Sequence, residues 1–252
     1  MSLSISELAV LSDIHGNRWA LAGVLDDIKR RGLEQLVDLG DSLYGPLDPT
    51  GTAEMLVALD LPGVRGNQDR VVFDLSTPSA SNSTLSFVRG QLAPRHVRRL
   101  ELLPITAVAA GECFMCHGSP DIDDQYLLWR VTSTGPVRRS QTELSAILAN
   151  VAHPVILCGH DHTPAVMTLD DGRLIVNPGS VGLPAYVDDL PYPHAMETGS
   201  PEARYAIVYR SRGEWRAEPV SVPYDHDEAI AAAQSNGRPD WAAWLQTGRA
   251  SV

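Results

Sequence analysis

Five short apolar runs in this chain each end in a cluster of Asp, His or Asn beside glycine, and that repeated placement constrains the fold more than any other feature. Glu7 to Leu11 leads into Asp13-Ile14-His15-Gly16, Leu36 to Leu39 into Gly40-Asp41, and Gly63 to Arg65 into Gly66-Asn67. Glu112 to Cys116 leads into His117-Gly118, and Val155 to Cys158 into Gly159-His160-Asp161-His162. Runs of this length bounded by polar, glycine-rich segments read as buried strands. Asn17 is placed to cap a helix through about Arg31, whose Leu21, Val24, Leu25 and Ile28 form one apolar stripe and which Gly32 closes. A second helix is expected around Thr52 to Leu59. Strand, loop and helix alternating in this way predict parallel βαβ units and an α/β fold.

The rest of the chain reads less sharply. Ser76 to Ser83 has loop composition, and Pro94 to Leu102 reads as a helix with arginines on its wet face. Asp121 to Ala152 is expected to form two helices broken at Gly135-Pro136. Ala165–Leu169 and Arg173–Val176 read as a hairpin about Asp170-Asp171-Gly172. Leu183 to Pro201, rich in Pro, Gly and acidic residues, reads as an exposed loop that roofs a crevice or meets another subunit. Strands over Tyr205–Arg210 and Trp215–Val220 precede an amphipathic helical tail. No repeat or linker divides the chain, so a single domain over 1–252 is expected, with a core of about 7–222 and a docked helical extension of about 225–252.

Composition narrows the partners. The 252 residues carry a net charge of −11 with one lysine, Lys29, which disfavours nucleic-acid binding by counterion release. A phosphate-bearing small molecule remains compatible if bound cations reverse the local field. No apolar run is long enough to span a membrane. Met1 to Glu7 lacks the basic start of a leader, and three cysteines fit reduced thiols, so a cytoplasmic location is expected. A homo-oligomer stays open.

The strand-end clusters carry the chemistry. Strand ends of open α/β sheets face the ligand crevice, so five loops can aim donors at one place. In extended backbone, residues two apart point the same way, so Asp13 with His15, and His160 with His162, can each face one site. Carboxylate, imidazole and amide donors together suit Mn²⁺, with Fe, Zn²⁺, Ni²⁺ or Mg²⁺ as alternatives, rather than Ca²⁺. Asp13, His15, Asp41, Asn67, His117, His160 and His162 are too many for one tetrahedral ion and suit two divalent cations.

In order, Asp-x-His, Gly-Asp, Gly-Asn, His and Gly-His-x-His resemble the calcineurin-like metallophosphoesterase family, over about Leu8 to Tyr209. Gly40 to Pro46, His117 to Pro120 and Asn177 to Gly182 are most similar to its compact bacterial and archaeal branch, related to small phosphodiesterases. The resemblance implies a four-layer α/β/β/α sandwich of two packed mixed sheets. It also implies that Asp13, His15 and His162 hold one metal, that Asn67, His117 and His160 hold the other, and that Asp41 bridges them. The implied activity is hydrolysis of a phosphoester by water activated between the metals.

This sequence departs from the family pattern after Gly66-Asn67, where Gln68 stands in place of the usual histidine. Glutamine donates a hydrogen bond but no proton near neutral pH. Leaving groups that tolerate charge are therefore favoured: diesters and nucleotide-type substrates before simple monoesters. Phosphomonoesterase or protein phosphatase activity, diadenosine polyphosphate hydrolysis, and a catalytically weak metal-binding scaffold are the competing readings. His194 is expected exposed, with a minor prospect of serving as a substitute acid. Asp161, where the family often has threonine, is expected to support its neighbours rather than bind metal. Arg65 and Arg70 could meet phosphate or merely face solvent. Cys113, Cys116 and His117 match a haem-attachment spacing, rejected because they lie in an expected buried strand; one cysteine is expected buried, the other half-exposed. His96, His153 and His226 match no motif.

Overall fold

A computed structural model describes residues 7–79 and 82–251. The first six residues, which carry most of the leader reading, and 80, 81 and 252 lie outside it. Strand β1 (Glu7–Leu11) alternates cleanly, with Leu8 and Val10 on one face and Ala9 and Leu11 on the other. It pairs in parallel with β2 (Leu36–Asp38) and antiparallel with β12 (Ala203–Ser211), which in turn pairs with β13 (Glu214–Val222). The order in this sheet is β13-β12-β1-β2. A second sheet has the order β3-β4-β7-β9-β8: Thr106–Ala109, Cys113–Cys116, Val155–Leu157, Leu174–Asn177 and Ala165–Thr168. Its central pairs are parallel and its outer pairs antiparallel, so both sheets are mixed.

Leu8, Val10, Val37, Met115, Leu157 and Val176 meet between the two sheets. The opposite face of the first sheet is covered by helix α1 (Arg18–Arg31) through Leu21, Val24 and Ile28, and by residues of α2 (Pro49–Leu59), α3 (Asn67–Phe73), α4 (Ser83–Gln91) and α5 (Pro94–Leu102). The outer face of the second sheet packs on Leu144 and Leu148, in and just after α6 (Gln141–Ile147). This is the four-layer α/β/β/α sandwich. Asn17 caps α1 by accepting from the Ala20 amide, and Gly32 ends it in the left-handed conformation.

Several expectations change. Gly63 to Arg65 forms only a one-residue bridge with Asp38, because the chain turns there to enter α3 at Asn67. The two helices expected over 121–152 are a hairpin, β5 (Trp129–Thr132) with β6 (Gly135–Arg138), followed by α6 alone. Gly135 supplies the turn at φ 108°, rather than breaking a helix. The supposed loop at 183–201 contains a second hairpin, β10 (Ala185–Asp188) with β11 (His194–Glu197), whose Ala185, His194 and Met196 are buried. Of these short strands only β11 alternates in burial, so they carry little period for the sequence to show. His194 is correspondingly buried, and both Cys113 and Cys116 are buried on opposite faces of β4, where burial pushes each thiol up to about 12. The tail forms α7 (Asp227–Ser235) and α8 (Pro239–Thr247), which pack Trp241, Trp244 and Leu245 on Leu47, Leu183 and Ala185.

Candidate metal centre

All seven strand-end donors come to one end of the sandwich. Asp13, His15 and His162 offer one ligand atom each within 4.8 Å of one another, and Asp41, His117 and His160 form an adjacent group of the same kind. Asp13 Oδ1 lies 3.3 Å from His162 Nε2 and 3.8 Å from His117 Nε2, so the two groups adjoin. Asp41 Oδ2 is 3.3 Å from His117 Nε2. Asn67, the first residue of α3, lines the same cleft, and its buried Oδ1 has no hydrogen-bond partner. The expected alternation is not what aims these groups. Asp13, His15, Asp41, His160 and His162 all sit at positive φ, so their loops turn tightly, and His160 and His162 join different groups.

Three of the four imidazoles are locked from behind. Nδ1 of His15 faces the Tyr44 carbonyl at 2.9 Å, Nδ1 of His117 the Leu39 carbonyl at 2.8 Å, and Nδ1 of His162 the Leu183 carbonyl at 2.7 Å. A carbonyl only accepts, so each Nδ1 carries the proton, and the Nε2 of a neutral ring presents its lone pair inward. His15 and His162 accordingly bring Nε2 atoms face to face at 3.0 Å, an arrangement that repels unless a proton or a metal cation lies between them. Asp13 Oδ1, like Asn67 Oδ1, is buried with no hydrogen-bond partner. Orphaned buried acceptors of this kind are costly in an ordinary core.

Electrostatics agree with that arrangement. Burial opposes ionisation of Asp13, yet His162, His117 and His15 hold it well below the usual carboxylate range. Asp41 is likewise lowered, burial being outweighed by His117 and His15. Burial and neighbouring imidazoles lower His15 and His160 to about 4. Burial also disfavours charge on His117, but Asp41 and Asp13 push it up to about 10. A cation at this position would have to displace that proton.

A second ring of residues fixes the donors, and most of it is not evident from sequence. Asp69, fully buried, accepts from the amides of Asp41, Ser42 and Gly66 at 2.8, 3.1 and 3.0 Å, tying two ligand loops together. Its only sequence signal is an acid three residues after Gly66. Burial and the Asp41 charge push it up to about 7. Gly66 is required here because any side chain would occupy the space of Asp41 Oδ1. Asp161 points away from the centre and accepts from Thr163 and Asn177, as its supporting role predicts. Gln68 donates its backbone amide to Asp41 Oδ1 at 2.8 Å and lines the cleft. Arg70 is committed to a bidentate pair with Asp123, and Arg65 stacks over Phe73. His194 Nε2 lies 3.0 Å from the Tyr126 hydroxyl rather than in solvent.

Residues 7–194 match the model of the calcineurin-like phosphoesterase superfamily domain. The chain belongs to that superfamily. Calcineurin-like phosphoesterases are phosphoester hydrolases that generally use divalent metals, and the two donor groups above are where this member has residues to hold them. The chain is similar to a metallophosphoesterase from Sphaerobacter thermophilus, with 26% identity, TM-score 0.75 and coverage of 96% of this chain and all of that one. The hypothetical protein PH1004 from Pyrococcus horikoshii shares the fold at 20% identity and TM-score 0.73, over 97% of this chain and 99% of that one. An uncharacterized protein, MJ0912 of Methanocaldococcus jannaschii, is 25% identical over 94% of this chain and 95% of its own length. Among the described residues, no helix of this calcineurin-like protein is long and apolar enough to cross a membrane.

Proposed function

We propose that the protein is a binuclear metal-dependent phosphodiesterase acting on diesters or nucleotide-type substrates. The observation that carries the metal assignment is the set of Nδ1-locked imidazoles whose Nε2 atoms converge beside two ionised carboxylates. Asp13, His15 and His162 would hold one cation, Asn67, His117 and His160 the other, with Asp41 shared. Mn²⁺ suits this mixed donor set, and metal availability selects among the alternatives. The cations, when bound, supply the positive charge that polarises the phosphoryl group and acidifies a water to serve as nucleophile.

The chain's own residues account for the preference. Gln68 can orient or hydrogen-bond a leaving oxygen but cannot protonate it, and general-acid help is typically worth about 10² to 10⁴-fold. Alkyl monoesters, whose leaving oxygen needs a proton, therefore lose most. His194 does not replace the missing acid, because it is buried behind Tyr126 on β11. The cleft, about 380 Å³, is large enough for a nucleotide-sized ligand.

The test compares an aryl diester with the corresponding aryl monoester on protein stripped by chelation and reloaded with Mn²⁺. Turnover that depends on metal and favours the diester is expected. Preference for the monoester would replace this reading with a phosphomonoesterase, and tight metal binding without turnover would leave a scaffold.

A further inference from the structure

The C-terminal helices bring one cation to the cleft. Arg238, immediately before α8, lines it together with His15, Tyr44, Gln68, His160 and His162, and among the described residues no other lysine or arginine does so. Its guanidinium carbon lies 5.6 Å from the Trp241 ring centroid, and Trp241 meets the His15 ring edge-on at 5.8 Å. Arg238 is thus within two ring contacts of a candidate metal ligand. It has no hydrogen bond to any of the seven donors; its partners are Asp240, through Nε and Nη2, and the Thr84 hydroxyl, through Nη1.

Those partners fix the guanidinium without exhausting it. Of the five N–H donors of an arginine, Asp240 takes those on one edge and Thr84 takes one on Nη1, which leaves about two free. Tyr44 and Asn82, hydrogen-bonded to each other at 3.0 Å, line the same cleft. A planar fork held in place with donors to spare suits bidentate capture of an oxyanion, and it is more specific than a lysine would be. The surroundings give this charge further weight. The chain carries −11 overall, and Asp41 and Asp188 also line the cleft.

We propose that Arg238 is a specificity-determining residue that binds a second anionic group of the substrate, a phosphate or carboxylate carried beyond the scissile phosphate. Its separation from the donor groups is the reason: a phosphate on the metals is served by the seven donors, and a cation one aromatic ring further out serves the next anion along. The substrate class is then a phosphodiester that carries a further anionic group, such as a dinucleotide with a terminal phosphate; the bisphosphate below serves as a binding probe for the two anion positions. This rests on the metal-dependent hydrolase reading for the position of the reacting phosphate.

The experiment measures equilibrium binding to the Mn²⁺-loaded full chain by calorimetry, with thymidine 5′-monophosphate and thymidine 3′,5′-bisphosphate as probes. The native protein is expected to bind the bisphosphate at least about tenfold more tightly, the size of one charge-assisted contact. In Arg238→Gln, which keeps donors for Asp240 and Thr84, that advantage falls to within about twofold while monophosphate binding is unchanged. Arg238→Lys, which keeps the charge without the fork, retains part of it. No bisphosphate advantage in the native protein, an advantage that survives Arg238→Gln, or equal weakening of both probes would each overturn the proposal. Aryl diester turnover is followed in parallel. Absent turnover with the bisphosphate preference intact removes the hydrolase reading and leaves Arg238 as an anion site.

Discussion

At Asp13, His15, Asp41, His160 and His162 the backbone holds φ between 53° and 69°. Left-handed conformations of this kind cost about 1–3 kcal/mol each for side chains other than glycine, and persist where surrounding contacts over-determine them. Here those contacts are the bonds that the Asp41 amide donates to Asp69 and that the His160 amide donates to Asp13 Oδ2, the latter 3.0 Å long. Asp41→Asn keeps an oxygen to accept from the Gln68 amide while removing the charge from the bridging position. Turnover below about a tenth of native is expected, with metal content reduced on elemental analysis and the denaturation midpoint of the chelated protein little changed. Retention of a larger rate would count against the shared carboxylate. Gln68→His restores a proton donor beside Asn67, so the ratio of monoester to diester turnover should rise, by about tenfold or more. An unchanged ratio would mean that Gln68 does not set leaving-group preference.

Among the elements, the end of β9 has the least conspicuous role in the site and a large one. Asn177 donates to the Gly159 carbonyl at 3.0 Å and to Asp161 Oδ2 at 2.9 Å, and accepts from the Gly179 amide at 2.9 Å. It joins β9 to the loop that carries His160 and His162. Removing it leaves Asp161, which burial has already pushed up to about 6, without a donor on one oxygen. Asn177→Ala should cost about 2–3 kcal/mol in urea denaturation, the penalty for buried polar groups left unpaired. It should also weaken Mn²⁺ binding by roughly 10- to 100-fold, as loss of outer support for metal ligands typically does. Full stability with unaltered metal affinity would show that the loop holds its shape unaided.

Considered as a whole molecule, the donors come from both sheets: the ends of β1 and β2 in one, of β4 and β7 in the other, with Asn67 from α3. Cations at their junction would cross-link layers otherwise joined by apolar packing and a few polar contacts, such as those of His117 with the Leu39 carbonyl and of the His160 amide with Asp13. A ligand present at a hundredfold over its Kd stabilises the native state by about 2.7 kcal/mol. For a protein of this size that corresponds to roughly 5–10 °C in Tm. Protein with excess Mn²⁺ should melt higher than chelated protein by about that margin in differential scanning calorimetry, and His117→Ala should lose most of the gain. Coincident melting curves would argue that no cation binds between the sheets.

The sequence alone determined the α/β alternation, the sandwich through its resemblance, and the seven candidate donors that the fold brings to one end, because each follows an apolar run and most stand beside a glycine. Those signals are local, within a few residues of one another. Only the tertiary structure decided what depends on distant partners. Carbonyls of Tyr44, Leu39 and Leu183 fix the imidazole tautomers, and Asp69 and Asn177 tie loops together. Arg238 arrives from the tail across more than 70 residues of intervening chain. The two short hairpins were also hidden, since strands of four residues with Pro and Gly nearby carry too little period to be separated from loop or helix. Local pattern specifies which groups can bind; packing between the sheets and the tail fixes where each one points.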